Sequence, residues 1–190
     1  MKLILASASP RRRELLGEIT QFSVEPSFFE EKADTALSAR QTAEYFAEGK
    51  AQEVFSRFPE CYVLGADTVV AFEEKILGKP KDKEDAKKTL RFLSGKMHSV
   101  YTGVCLVGKG FCKTVSAETR VTFHELSEEL IEKYVESGLP LDKAGSYGIQ
   151  DGYPLVKKYE GSYTNVVGLP KEEVCALIEE AGKTDDKTCD

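Results

Sequence analysis

Histidine is scarce in this chain, cysteine is unpaired, positive charge is in deficit, and no apolar run is long. The two histidines, His98 and His124, stand alone, which argues against a His-rich metal site or a Ser-His-Asp triad. The five cysteines (Cys61, Cys105, Cys112, Cys175, Cys189) form an odd number with no Cys-x-x-Cys pair, and most lie beside apolar residues. That pattern speaks against a disulfide framework or a zinc site and for free thiols in a reducing cytoplasm. No segment is long enough to span a bilayer, and the apolar run at Leu3 to Ala6 is too short for a signal peptide and runs into arginines. A net charge of −6 disfavours nucleic acid and anionic membranes as partners. No internal repeat or low-complexity linker appears. The 190 residues read as a single domain over 1–182 with a polar C-terminal tail at 183–190.

Against that background, Ser7-Ala8-Ser9-Pro10-Arg11-Arg12-Arg13 is the most informative stretch. Leu3-Ile4-Leu5-Ala6 reads as a short buried strand, after which Ser7 or Ser9 can cap a helix with Pro10 at its first position. A helix N-terminus carries partial positive charge, so three arginines there are unfavourable unless an anion joins them. A solvated basic patch partly offset by Glu14 is one reading; the other is a phosphate cradle of backbone N–H groups, hydroxyls and guanidinium forks.

The rest of the chain alternates elements. Phe22 to Glu25 reads as a short strand, and Ser38 caps a long helix to Phe58, with Lys50 among mostly apolar neighbours. Tyr62 to Phe72 reads as a central strand buried on both faces. Glu73-Glu74 form a turn before Ile76-Leu77, and Asp82 caps a helix ending at Ser94-Gly95. Strands follow near Ser99–Val107 and Thr114–Phe123, then a helix over Glu128–Glu136 capped by Ser127. Residues 139–170 are loop-rich, with a hairpin expected near Leu155–Val167, and Pro170 opens a last helix to Ala181. The pattern predicts an α/β fold with a mixed sheet.

Asp67 interrupts the most apolar strand, where an unpaired carboxylate would cost several kcal/mol. It needs a cation, strong donors or a cleft. Bonding to turn amides at a strand end is one reading; a metal ligand or a general base beside phosphates is the other. Glu30-Glu31 offers a second carboxylate, and carboxylates with water and phosphate oxygens suit Mg²⁺. Lys79 is framed by Gly78 and Pro80, unlike the solvated Lys81, Lys83, Lys87 and Lys88.

Ser-Ala-Ser-Pro-Arg-Arg, Gly-Ala-Asp-Thr, Leu-Gly-Lys-Pro, Leu-Ser-Gly-Lys-Met-His-Ser-Val-Tyr-Thr, Leu-Asp-Lys-Ala-Gly-Ser-Tyr-Gly-Ile-Gln and Val-Gly-Leu-Pro occur in the order seen in Maf proteins. The chain resembles that family over about residues 2 to 180. Its members are nucleoside triphosphate pyrophosphatases also linked to inhibition of septum formation. The resemblance implies an elongated mixed β-sheet flanked by helices, with two lobes around a cleft, similar to inosine triphosphate pyrophosphatases. It implies that Arg11 and Arg12 bind phosphates, with Ser7 and Ser9 shaping their loop, and that Glu31 rather than Glu30 is the loop carboxylate. Lys50, Asp67 and Lys79 match the helix lysine, the catalytic aspartate and the Lys-Pro lysine, and specificity falls to Arg11, Thr68 and Gln150.

Asp142-Lys143-Ala144-Gly145 with Ile149-Gln150 resembles the branch acting on dTTP and UTP; one departure is Gln150-Asp151-Gly152, where the family usually has glycine after the glutamine. The implied reaction is hydrolysis between the α and β phosphates, with a divalent cation (Mg²⁺ or Mn²⁺) held by Asp67 and Glu31. Asp67 serves as base, metal ligand or both. The implied partner is the nucleoside triphosphate; a homodimer stays open. Two alternatives are a 7-methyl-GTP pyrophosphatase and a nucleotide-binding interaction protein that restrains septum formation.

Overall fold

The computed structural model describes residues 2–32, 36–73 and 75–187, the side chains of 184–187 excepted. Strand β1 (Leu3–Leu5) leads into helix α1 (Pro10–Gly17), then β2 (Ser23–Val24), α2 (Ala39–Arg57), β3 (Tyr62–Phe72) and β4 (Lys75–Leu77). Helix α3 (Lys83–Leu93) is followed by β5 (Met97–Gly108), β6 (Phe111–Phe123) and α4 (Glu128–Glu136). Two 3-10 turns (Leu139–Asp142 and Ala144–Ser146), β7 (Val156–Glu160), α5 (Tyr163–Val167) and α6 (Lys171–Lys187) complete the chain. The helices begin where side chains can hold their free N–H groups. Ser9 accepts from the Arg12 amide, and Ser38 and Gln41 form a reciprocal capping box on α2.

The sheet is mixed, in the order β2-β1-β3-β5-β6-β7, with β4 also on β3. β2, β1 and β3 run parallel; the remaining pairs are antiparallel. One edge of β3 pairs with β5 from Val63 to Ala71. Its other edge is divided, with β1 on Tyr62–Leu64 and β4 on Val70–Phe72. Residues 65–69 therefore have no strand partner on that edge among the described residues. The sheet is split there, and Asp67 sits in the split.

Alternation along β3 sends successive side chains to opposite faces. The face carrying Val63, Gly65 and Asp67 packs against α2, and the apolar part of that layer includes Ala47, Ala51, Val54, Cys105 and Val107. A Cβ on Gly65 would lie 2.2 Å from the Ala47 carbonyl oxygen, and one on Gly103 2.4 Å from that of Ala43. The two glycines thus let α2 rest directly on the sheet. The opposite face carries two separate cores. One gathers Leu64, Ala66, Val104 and Leu106 with Leu16 of α1 and Val174 and Leu177 of α6. The other gathers Val70 and Val100 with Leu90 of α3, Ile131 and Tyr134 of α4, and Tyr147. These are two lobes, with a cleft between them.

Two expectations need correction. The hairpin near Leu155–Val167 is instead one strand, β7, followed by a helical turn, α5. β7 returns along β6 with Glu160 opposite Arg120. Ser162 then caps α5, and the buried Asn165 amide donates to the Val100 carbonyl (3.0 Å) and the Thr119 hydroxyl (2.9 Å). Those tertiary bonds turn the chain inward where a second strand would run outward. The last helix also continues past Ala181 to Lys187. Glu74 of the expected Glu73-Glu74 turn, and residues 188–190 including Cys189, lie outside the described residues.

Candidate active site

Lys50, on the buried side of α2, has its ammonium 2.6 Å from a carboxylate oxygen of Asp67 and 2.6 Å from one of Glu31. Asp67 and Lys50 are nearly enclosed, whereas the Glu31 side chain is 50% exposed. Burial pushes the Asp67 carboxyl above the ordinary carboxylate range, and Lys50 and Arg12 only partly offset it. For Glu31, burial also acts upward, but Lys50, Lys79 and Arg12 together outweigh it and hold the group below its usual value. Glu30 points elsewhere, into an exposed pair with Lys32 at 2.9 Å.

Glu31 reaches Lys50 because its loop is pinned along α2. The Phe29 ring lies over Gly49, where a Cβ would come within 2.4 Å of it, and stands edge-on to Tyr45 at 6.0 Å. The Ser27 hydroxyl and the Phe28 amide donate to Glu53 at 2.9 and 3.0 Å, and Arg57 donates to the Pro26 carbonyl. This anchor was not read from the sequence. Its only sequence signal is a glycine in mid-helix, immediately before the lysine.

Thr68 points to the opposite face of β3 and meets the arginine loop. Arg12 donates from Nε to the Gly168 carbonyl (2.8 Å), from Nη2 to Thr68 (3.1 Å) and from Nη1 to Ser7 (3.3 Å). Three of its five N–H groups are so occupied, leaving two for a ligand. Burial lowers its pKa and Asp67 counters this. Ser7 is buried behind the loop and accepts from the Ser9 amide, so it shapes the loop without lining the cleft. Arg11 reaches across to Asp142 at 2.9 Å.

One cavity of about 880 Å³ runs through the split, lined by Ser9, Arg11, Arg12, Glu31, Lys50, Asp67, Thr68, Lys79 and Gln150. The sequence-selected residues, Ser7 excepted, therefore share one space. Lys79 enters from the loop after β4, where the Gly78 carbonyl accepts from the Gly145 amide at 3.1 Å. Gln150 lies on the far wall with Tyr147 and Gly148. That wall holds a buried cation the sequence did not single out as a site residue, Lys143, beside Asp142 and Asp151 at 3.0 and 3.3 Å.

Among the described residues no group of three or more His, Cys, Asp and Glu side chains converges as a ready metal cage. Asp67 and Glu31 meet at the Lys50 ammonium, inside the arginine- and lysine-lined part of the cleft. Two hard oxygen donors opening on a basic cleft fit a divalent cation whose other ligands come from phosphate and water.

A family model described as Maf-like protein matches residues 2–181. The chain is similar to proteins named dTTP/UTP pyrophosphatase. That of Bacillus pumilus (strain SAFR-032) is 45% identical across 96% of this chain and 98% of that protein. That of Myxococcus xanthus (strain DK1622) is 48% identical across 95% and 92%. That of Pyrococcus horikoshii is 45% identical across 93% and 95%.

Proposed function

This chain belongs to the Maf-like protein family, and from that premise we propose that it is a dTTP/UTP pyrophosphatase, releasing the nucleoside monophosphate and pyrophosphate. The observation that carries the reading is the meeting of a buried aspartate, a lysine and four further functional side chains in one cleft: Asp67 and Lys50 with Glu31, Arg11, Arg12 and Lys79. The relatives named above carry the substrate.

Arg11, Arg12, Lys50 and Lys79 neutralise the triphosphate and the charge that grows on the departing pyrophosphate. Ser9 and the first N–H groups of α1 add donors where the helix dipole favours an anion. Asp67 is the proton acceptor. Water attacks the α-phosphorus, the bond to the bridging oxygen breaks, and the water proton passes to the carboxylate. Burial has raised the basicity of Asp67, while Lys50 keeps one of its oxygens fixed. Asp67 and Glu31 are also the residues that would hold a divalent cation, which when bound neutralises phosphate charge and polarises the phosphoryl group. Gln150 carries both a donor and an acceptor, the set needed at the edge of a pyrimidine, and Thr68 and Arg11 complete the selective positions.

No helix among the described residues is long and apolar enough to cross a membrane. Cys61, Cys105, Cys112 and Cys175 are free thiols, which supports a reducing compartment, the cytoplasm. Removal of surplus or modified pyrimidine nucleotides before polymerases use them is the biological role we assign.

Pyrophosphate release from dTTP, UTP, dCTP, GTP and 7-methyl-GTP with Mg²⁺ or Mn²⁺ tests the proposal. Preferential turnover of dTTP and UTP is expected. Preference for 7-methyl-GTP, or binding without turnover, overturns it.

A further inference from the structure

The stretch carrying Gln150 has no regular secondary structure, yet it is tied down from beneath. Tyr134, fully buried on α4, donates its hydroxyl to Asp151 at 2.6 Å and accepts from the Gly148 amide at 2.9 Å. The Asp151 amide donates back to the Gly148 carbonyl at 3.2 Å and closes the turn. The Asp151 carboxylate is packed so tightly on Gly148 that a Cβ there would lie 2.6 Å from it. Lys143 lies 3.3 Å from the same carboxylate and 3.0 Å from Asp142, whose other oxygen accepts from Arg11. The Asp151 and Lys143 side chains are only 6% and 8% exposed. A buried pair of this kind is costly to break, because removing either partner strands the other. Gln150 itself is exposed on the cleft wall, with the pinned turn on both sides of it.

The chemistry of the base makes such pinning consequential. Uracil and thymine present an N3–H donor beside the O4 acceptor; cytosine presents the reverse pair. A carboxamide matches either by turning over. Preference for one ring therefore depends on where the turn holds the amide relative to its fixed neighbours, not on the amide alone.

We infer that Asp151 and Tyr134 are positioning residues for pyrimidine selection. They hold the Gly148–Asp151 turn so that Gln150 meets uracil or thymine in one geometry. The inference rests on the reading of the cleft as a dTTP/UTP site.

Tyr134→Phe and Asp151→Asn test it, each read by kcat and KM for dTTP, UTP and dCTP, by inhibition with inorganic pyrophosphate, and by melting midpoint. The preference for dTTP over dCTP should fall about tenfold, as for one lost charge-assisted hydrogen bond. Inhibition by pyrophosphate, which probes only the phosphate end, should stay within about twofold on the same scale. An unchanged preference in folded variants overturns the inference, as does a parallel loss for every nucleotide and for pyrophosphate. So does failure of the milder Asp151→Asn to fold, which would make the contact a folding element. If the wild type turns over neither dTTP nor UTP, the pyrophosphatase reading fails instead. Equilibrium binding of dTTP against dCTP in the same variants then decides the positioning role.

Discussion

The two walls of the cleft use the same device on different foundations. On one, Lys50 sits between Asp67 and Glu31, 2.6 Å from each; on the other, Lys143 sits between Asp142 and Asp151 at 3.0 and 3.3 Å. Lys50 projects from a 19-residue helix seated on two glycines and faces a residue of the central strand. Lys143 lies between two 3-10 turns; Asp142 ends the first of them, and Asp151 belongs to irregular chain. The first wall is stiff at the backbone and, in the proposed reaction, supplies the reactive groups. The second has no long helix or strand behind it and is held by side-chain bonds and isolated backbone bonds, which suits the selective role inferred for it.

Asp67→Asn should break the comparison most severely. Removing the carboxylate charge should lower turnover about 10³-fold, within the range for a lost general base. Its folded pKa lies above the unfolded value, so the charged form at neutral pH costs stability. The melting midpoint should therefore hold or rise. A less stable but fully active variant would remove Asp67 from the chemistry.

Lys50→Met tests the stiff wall from the cation's side. It leaves two carboxylates facing each other, and the expected loss is about 3 kcal/mol near neutral pH. With Lys50 gone, burial raises the folded pKa of Asp67 further above the unfolded one. Stability is then fullest below the unfolded carboxylate range and is lost as pH rises through the raised value. Urea denaturation at about pH 5 and about pH 8 should show the larger deficit at the higher pH; a deficit independent of pH would contradict the pairing.

Smaller effects sharpen the contrast. Gly49→Ala pushes into the Phe29 ring and should displace Glu31, lowering kcat/KM about tenfold; a misplacement near 1 Å can cost ~10²-fold. An unchanged kcat/KM would separate the anchor from the site. Glu30→Gln should change turnover by less than about twofold, because its partner is an exposed lysine and such surface pairs contribute roughly 0–1 kcal/mol.

The regular elements were legible for a physical reason. Ser38, Asp82 and Ser127 each cap the helix they were expected to cap, and Ser9 is the one of Ser7 and Ser9 that caps α1, since capping is decided within one turn of chain. The Tyr62–Phe72 strand is legible from its apolar run, and Asp67 from interrupting it. The stretch from 139 to 167 was legible as loop-rich, but its path and the helical turn α5 were not. There Gly145 and Ser146 both take left-handed φ values, 69° and 60°, and serine carries no local signal for that conformation. Burial against the second core and the bonds from the Gly145 amide to Gly78 and from the Ser146 amide to Lys143 hold it so.

What the sequence determined by itself was the set of chemical groups and the local elements that carry them: caps, periodicity, and a carboxylate too costly to bury alone. Only the tertiary structure decided which groups meet. The divided edge of β3, the close approach of α2 over Gly65 and Gly103, and the Phe29 anchor choose Glu31 over Glu30 and bring Lys50 onto Asp67. The Tyr134–Asp151 contact fixes the turn beneath Gln150. These are contacts between residues far apart in the chain, set by packing and by the cost of unpaired buried charge, and no local pattern encodes them.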